Sequence, residues 1–90
     1  MEFAERLMDI DNEIWDKYGF TSRPSGDDLR TYLEDIVNVF EEEGFEADDF
    51  DDDVIGYLEN ENFHLLIDAI GVYCEDVTID EIVADDESGW

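Results

Sequence analysis

The chain has 90 residues, a length for which a single domain is the default. It carries 29 acidic residues and four Lys or Arg residues, which gives a formal charge of −25 at pH 7. This sign excludes nucleic acid and anionic membranes as direct partners, because cationic residues carry both kinds of binding. The charge favours a basic protein surface, a polyamine, a metal ion or high external salt.

The apolar composition predicts a folded protein. Hydrophobic residues make up 43% of the chain, with six Phe, four Tyr and two Trp. Disordered acidic chains are poor in such residues and cannot offset the entropy cost of folding. We therefore expect residues 1–90 to form a single acidic helical domain.

The sequence also bears on cellular location. Cys74 is the one cysteine, so no internal disulfide is possible. The N-terminus is acidic and lacks the continuous apolar run of a signal peptide. No stretch reaches the ~20 apolar residues of a membrane span. We expect a cytoplasmic protein.

Residues 2–18 predict an amphipathic helix. Apolar side chains recur at steps of three and four, which places them on one helical face: Phe3, Leu7, Ile10, Ile14 and Tyr18. Acids follow the same period on the opposite face: Glu2, Glu5, Asp9, Glu13 and Asp16. Gly19 and Phe20 then suit a left-handed helix end with its apolar contact.

A second helix is predicted over residues 27–43. Pro24 interrupts regular structure before it, and Asp27 and Asp28 suit the positive end of the helix dipole. The apolar stripe comprises Leu29, Tyr32, Leu33, Ile36 and Phe40. Gly44 and Phe45 repeat the helix-ending pair seen at the first helix.

The rest of the chain predicts an acidic loop and three more helical segments. After the loop at 46–53, the acids from Asp51 onward open a short helix that runs to about residue 60. Residues 61–76 are apolar nearly all round, as in a buried helix, with a strand over 64–74 as the alternative. Thr78 and Glu81 form a capping-box pattern before a helix at 79–85. The predicted fold is all-α, a compact single-domain bundle of four to five helices with a central apolar helix near 61–76.

The clustered acids do not match a calcium-binding loop. An EF-hand needs Gly at position 6 and Glu at position 12. A loop that starts at Asp49 has Val54 and Asn60 there, and one that starts at Asp9 has Ile14 and Phe20. We expect no dedicated metal site and no cofactor.

The sequence does not predict an enzyme. Cys74 and His64 lie ten residues apart on one predicted helix, roughly 15 Å along its axis at 1.5 Å per residue. A nucleophile and its base need about 3 Å between them. No Gly-rich phosphate loop or zinc ligand set is present.

Asp11 is an exception to the pattern of the first helix. It falls inside the apolar arc, among Ala4, Met8 and Trp15. We predict a salt bridge from Asp11 to Arg23 or Arg30. The alternative is a contact point beside Trp15 for an Arg of a partner.

Residues 41–53, here named the acidic segment, place nine carboxylates in thirteen positions without a Lys or Arg. Three of them, at 41–43, occupy the last turn of a helix, where the dipole disfavours anions by roughly 0.3–1 kcal/mol each. Sequences break local rules mainly at functional sites. We therefore predict a partner-binding surface formed by the segment and the first helix. Its residues are Glu41, Glu42, Glu43, Glu46, Asp48, Asp49, Asp51, Asp52, Asp53, Glu5, Asp9, Glu13 and Asp16.

In overall character the chain resembles the DNA-mimic inhibitors of phages and mobile elements, the acidic anti-restriction and anti-CRISPR proteins. The resemblance implies a protein that blocks the DNA-binding cleft of a host nuclease without chemistry, in the host cell cytoplasm if a phage encodes it. Phe45, Phe50 and Trp90 are candidate anchors for the partner, with core packing the preferred interpretation for Phe45. A halophilic protein of unrelated role and an acidic adaptor or chaperone for a basic protein are the alternatives, and the sequence leaves a homodimer open.

Overall fold

The computed structural model describes the backbone of residues 2–88 and the side chains of residues 2–86. The described chain forms an all-helical bundle without strands, so the predicted fold class is confirmed and the strand alternative at 64–74 is not formed. A 3-10 turn at Ala47–Asp49 lies between the second and third helices. The five helices are α1 (Glu2–Tyr18), α2 (Asp27–Glu43), α3 (Asp52–Asn60), α4 (His64–Tyr73) and α5 (Ile79–Ser88).

The two predicted Gly-Phe helix ends are confirmed. At the end of α1, Gly19 has a left-handed φ of 68°, and the Phe20 N–H donates to the Trp15 carbonyl at 3.0 Å. The Trp15 and Phe20 rings also meet, with centroids 6.0 Å apart. Gly44 and Phe45 close α2 with the same backbone pattern. Each helix end thus combines a backbone turn with an apolar contact.

Two further helix ends use a left-handed residue that is not glycine. Asn62 has a φ of 67° after α3, and Glu75 has a φ of 63° after α4. The Phe63 N–H returns to the Leu58 carbonyl at 2.9 Å, as in the glycine-based ends. Because Asn62 precedes α4 and Glu75 follows it, α4 is shorter than the predicted span of 61–76.

The hydrophobic core lies between α2 and α4. The apolar stripe of α2 is fully buried, with 0% exposure for Leu29, Tyr32, Leu33, Ile36 and Phe40. α4 buries Leu65, Leu66, Ala69 and Ile70 against it. α2 also contacts α1 and α5, whereas α3 packs against α1 and α4. α4 therefore shares the centre of the bundle with α2.

All four bases of the chain form ion pairs that join different segments. The pairs are Arg6–Glu43 and Lys17–Asp35 between α1 and α2, Arg23–Asp86 between the 19–26 loop and α5, and Arg30–Asp80 between α2 and α5. Exposed pairs of this kind contribute about 0–1 kcal/mol each. Their main consequence is that the bases are engaged between helices and do not offset the acids on the outer surfaces.

Candidate functional site

The acidic segment has a defined backbone. Its first part is the last turn of α2, and its last part is the start of α3. Between them, the Glu46 N–H donates to the Asp49 carboxylate at 3.0 Å. The Val54 N–H donates to the Asp51 carboxylate, also at 3.0 Å, and so caps α3. The predicted loop at 46–53 thus contains a 3-10 turn and two side-chain caps, and α3 begins where the sequence predicts.

All the predicted partner-binding residues are exposed. They are Glu5, Asp9, Glu13 and Asp16 on α1, and Glu41, Glu42, Glu43, Glu46, Asp48, Asp49, Asp51, Asp52 and Asp53 in the acidic segment. Among the acids of the segment, Glu43 is the one paired with a base, Arg6. The segment therefore presents its carboxylates to solvent with one ion pair at its edge.

An aromatic cluster lies beneath the acidic segment. Its members come from α1, α2, the segment itself and α4, and their ring centroids are 5.1–6.1 Å apart. They are Phe3, Phe40, Phe45, Phe50 and Tyr73. Aromatic pairs at such distances contribute about 0.5–1.5 kcal/mol beyond their area burial. The segment is therefore tied to three helices by the rings that interrupt its acids.

The cluster corrects the role predicted for Phe50. Both Phe45 and Phe50 are half-buried against the core, so they hold the segment and are not exposed anchors for a partner. The core-packing interpretation preferred for Phe45 is confirmed. Trp90, the third predicted anchor, lies outside the described residues.

Tyr73 links α4 to the start of the acidic segment. Its hydroxyl donates a hydrogen bond to the backbone carbonyl of Phe45, just after α2 ends. Desolvation, followed by the nearby Glu41 carboxylate, raises the pKa of Tyr73 above its ordinary value. The hydroxyl therefore keeps its proton at neutral pH and remains a donor.

The acidic stripe of α1 (Glu2, Glu5, Asp9, Glu13 and Asp16) begins beside the acidic segment. Phe3 contacts Phe45 and Phe50, and Arg6 pairs with Glu43, so the first turns of α1 adjoin the segment. From there the stripe runs along the exposed side of α1 for roughly 20 Å, at 1.5 Å per residue. The two predicted parts of the surface therefore meet at the start of α1.

Acids outside the predicted surface are exposed as well. They occur on α2, α3 and α5, and include Asp27, Asp28, Glu34, Glu59, Glu81 and Asp85. The described acids that are not exposed are Asp11, Asp35, Asp68 and Asp86. The protein is thus anionic on several sides, and the acidic segment is the stretch where acids are densest along the chain.

The predicted salt bridge of Asp11 is not formed. Asp11 is buried, at 6% exposure, and its carboxylate accepts a hydrogen bond from the Tyr32 hydroxyl on α2. Arg23 and Arg30 pair with acids of α5 instead. The two arginines lie in or after the 19–26 loop, and the sequence alone did not indicate that α5 packs beside them.

Burial shifts the pKa values of Asp11 and Tyr32. Desolvation raises the pKa of Asp11, and the hydrogen bond from Tyr32 and the nearby Trp15 indole oppose that rise. Burial and the Asp11 carboxylate raise the pKa of Tyr32. The indole Nε1 of Trp15 is buried and has no partner within hydrogen-bond geometry among the described residues. Asp11 is thus a buried carboxyl group with one hydrogen bond, and the Trp15 indole N–H lies near it without meeting hydrogen-bond geometry.

A cleft of about 380 Å³ opens beside Asp11. It lies between α1, the 19–26 loop and the residues that join α3 to α4. Its lining includes Asp11 and Trp15 of α1, Phe63 just before α4, Leu66 of α4 and the exposed Arg23 of the 19–26 loop. Sequence analysis singled out Asp11 and Trp15 but gave no sign of the cleft, because its walls come from distant segments.

The residues considered for catalysis lie at opposite ends of α4. His64 is exposed at its first residue, and Cys74 is half-buried just after its last. Desolvation raises the pKa of Cys74 and so disfavours the thiolate. In the described part of the chain, no group of three His, Cys, Asp or Glu side chains is arranged to hold a metal ion. His64 and Cys74 are therefore not placed to act together as a base and a nucleophile.

None of the helices within residues 2–88 has the length and apolar character needed to cross a membrane. No protein-family model, curated protein or solved structure matches the chain. The function is therefore argued from the acidic surface itself.

Proposed function

We propose that the protein is a non-enzymatic DNA mimic that occupies the basic DNA-binding cleft of a host defence nuclease, a CRISPR-Cas effector or a restriction enzyme. The observation that carries the proposal is the acidic segment, whose carboxylates are exposed on a backbone held by the aromatic cluster. A polyanion with fixed charges is the feature that such a cleft recognises in DNA.

The spacing of the charges supports this proposal. Acids three or four residues apart on a helix have Cβ atoms about 5–6 Å apart. One strand of duplex DNA carries a charge for every ~3.4 Å of axis. The acidic stripe of α1 therefore presents anions at regular intervals of the same order as those along one DNA strand.

The rigid attachment of the segment matters for affinity. Binding costs free energy when flexible groups must be ordered, and a preorganised surface avoids part of that cost. Here Phe45 and Phe50 are packed in the cluster, and Tyr73 fixes the carbonyl of Phe45. A lysine- and arginine-lined groove also attracts the anionic surface from a distance, which increases the association rate at low salt.

The positions of the bases favour the same conclusion. Arg6 is the base that contacts the acidic segment, where it pairs with Glu43 and lies 5.9 Å from the centre of the Phe45 ring. The other three bases pair elsewhere in the bundle. The proposed inhibitor acts in the cytoplasm, where its nuclease meets foreign DNA, and needs no catalytic group.

The proposal is tested by competition for DNA. The protein is titrated into complexes of labelled duplex DNA with a panel of restriction enzymes and CRISPR-Cas effectors, and DNA release is followed by fluorescence anisotropy. We expect release from at least one nuclease, with an affinity that falls as salt screens the charges. A ternary complex of nuclease, DNA and this protein would contradict mimicry for that nuclease and favour the acidic adaptor instead.

A matched pair of variants separates the acidic segment from total charge. One variant neutralises three acids of the segment: Glu41→Gln, Glu42→Gln and Asp48→Asn. The other neutralises the same residue types outside it: Glu34→Gln, Glu59→Gln and Asp85→Asn. All six residues are exposed, and both variants have the same net charge. We expect the first variant to release DNA far less effectively than the second, and equal effects would show that no local surface is used.

A second candidate function follows from the acids exposed on several helices. A surface that is anionic on α1, α2, α3 and α5 is also typical of a salt-adapted protein. Such a protein needs screening of its self-repulsion to stay compact. Circular dichroism across a salt series separates the two: a DNA mimic stays helical at physiological salt, and a halophilic protein unfolds below molar salt.

A further inference from the structure

The cleft beside Asp11 contains a buried carboxyl group that none of the four Lys and Arg residues pairs with. Asp11 has 6% exposure and accepts one hydrogen bond, from the neutral Tyr32 hydroxyl. The four bases of the chain pair with Glu43, Asp35, Asp86 and Asp80. An ionised carboxylate in such a position costs free energy unless a charge or further hydrogen bonds compensate it. The chain therefore retains a costly group at the wall of an open cleft.

The other walls of the cleft are aromatic and aliphatic. Trp15 and Phe63 are half-buried, and Leu65 and Leu66 are buried. Aromatic rings attract cations, and apolar walls suit the methylene stem of a long basic side chain. A volume of about 380 Å³ is at the lower end of ligand pockets, which span roughly 300–1,000 Å³. The cleft therefore suits one side chain better than a large ligand.

We propose that this cleft binds the side chain of one arginine from the basic partner, with the guanidinium on the Asp11 carboxylate and the stem against Trp15 and Phe63. The assumption that the partner is basic rests on the proposed function, whereas the chemistry of the cleft does not depend on it. The cleft is lined by α1, the helix that also carries the acidic stripe, so the arginine adds a short-range, directional contact to the long-range attraction of that stripe. Arginine is the fitting residue because its planar fork bonds a carboxylate and stacks on aromatic rings.

The charged groups around the cleft are compatible with this guest. Arg23 lines the cleft but is paired with Asp86 of α5, so its charge is compensated. Glu61 is exposed on the lining and attracts a cation, whereas His64 is exposed and opposes one when protonated. Asp68 of α4 lies close enough to Tyr32 to raise the pKa of its hydroxyl. Three acids, Asp11, Glu61 and Asp68, thus lie in or near the cleft, whereas His64 is the base there that forms no ion pair among the described residues.

Butylguanidinium is a direct probe of the isolated protein, and butylurea has nearly the same shape without the charge. We expect butylguanidinium to shift the Trp15 indole and Leu66 methyl NMR signals in a saturable way, and butylurea to bind at least about tenfold more weakly, as expected for loss of a hydrogen bond between charged groups. Equal binding of the two probes, or no saturable shift with butylguanidinium, would overturn the proposal.

Two variants assign the effect to Asp11. Asp11→Asn keeps the shape and an acceptor for Tyr32 but removes the negative charge, and Asp16→Asn removes one exposed charge from the same helix. We expect butylguanidinium affinity to fall at least about tenfold in the first and to change little in the second. Equal losses would show that the probe senses only net charge. If Asp11→Asn does not fold, the comparison of the two probes on the unaltered protein decides. The two tests are independent, because the butylguanidinium experiment contains no nuclease. A negative probe result would overturn the arginine site but not the DNA-mimic proposal, and a negative DNA competition would do the reverse.

Discussion

The Tyr73 hydroxyl donates a hydrogen bond to the backbone carbonyl of Phe45, so the end of α4 holds the turn that begins the non-helical part of the acidic segment. The same tyrosine ring contacts Phe40 and Phe50. One half-buried residue beside the core thereby contacts both the backbone and a ring of the segment that carries the surface carboxylates.

Tyr73→Phe removes this hydrogen bond and leaves the ring in place. We expect the free energy of unfolding to fall by about 0.5–1.5 kcal/mol, the usual contribution of one hydrogen bond. We also expect faster amide hydrogen exchange at residues 45–50, measured by mass spectrometry. Tyr57→Phe is the control, because Tyr57 is half-buried and no hydrogen bond of its hydroxyl is found in the described part of the chain. Unchanged exchange in Tyr73→Phe would contradict a positioning role.

Neutralising acids at two ends of the acidic segment is expected to have opposite effects on stability. Glu41 and Glu42 lie in the last turn of α2, where the helix dipole disfavours them, whereas Asp52 and Asp53 lie in the first turn of α3, where it favours them. We expect Glu41→Gln with Glu42→Gln to raise the free energy of unfolding by about 1–4 kcal/mol relative to Asp52→Asn with Asp53→Asn, because all four dipole interactions add in the difference. Urea denaturation at low salt measures the difference.

Both of these double variants lose two charges, so the general relief of repulsion cancels in the comparison. The difference should shrink when salt screens the dipole interaction. Equal stabilities at low salt would contradict a contribution of the helix dipoles at these four positions.

The Asp11 carboxyl group makes stability depend on pH. Burial raises its pKa in the folded chain above the ordinary value of 3.8. Between the two values the folded state binds more protons than the unfolded state, so stability rises as pH falls. The gain begins as pH falls through the raised pKa and is complete near 3.8. Asp68 acts in the same direction, since burial raises its pKa too, whereas the lowered pKa of Asp35 acts in the opposite direction.

Thermal unfolding of Asp11→Asn between pH 7 and pH 4 isolates the contribution of this one group. We expect a smaller rise of Tm on acidification than in the unaltered protein. Asp16→Asn, which removes an exposed carboxylate from the same helix, should retain the larger rise. Parallel Tm curves for all three proteins would show that the buried carboxyl group does not titrate differently from the surface acids.

Glu75→Gly is expected to stabilise the protein. Glu75 has a φ of 63°, and the left-handed region costs roughly 1–2 kcal/mol for a residue with a side chain. Glycine removes most of this cost but loses more entropy on folding, so we expect a net gain of about 0.5–1 kcal/mol in urea denaturation. Glu75→Gln controls for the lost charge, and an equal gain in that variant would point to electrostatics and not to backbone strain.

The locally encoded parts of the fold were predicted well. Gly19 and Gly44 mark helix ends because glycine adopts the left-handed conformation without a penalty. Thr78 and Glu81 exchange the two hydrogen bonds of a capping box, at 3.1 and 3.2 Å, as their spacing predicts. Each of these signals depends on neighbours within a few residues.

The parts that depend on distant contacts were not predicted. The end of α4 was missed because Glu75 carries no sequence signal for a left-handed residue. The predicted salt bridge from Asp11 to an arginine is wrong, because its partner is Tyr32, which lies 21 positions further along the chain. The prediction that Phe50 anchors a partner is wrong, because the sequence does not show that its loop folds back onto α4. The cleft beside Asp11 was missed for the same reason.

The different positions of the paired bases and the exposed acids have an evolutionary consequence. The four Lys and Arg residues pair with acids of other segments, and most carboxylates extend outward without contributing to the core. Substitutions among the outward acids can therefore accumulate without disturbing the packing beneath them. Under the proposed function, a lineage of such chains can change its surface charge as its target diverges while the helical scaffold stays the same.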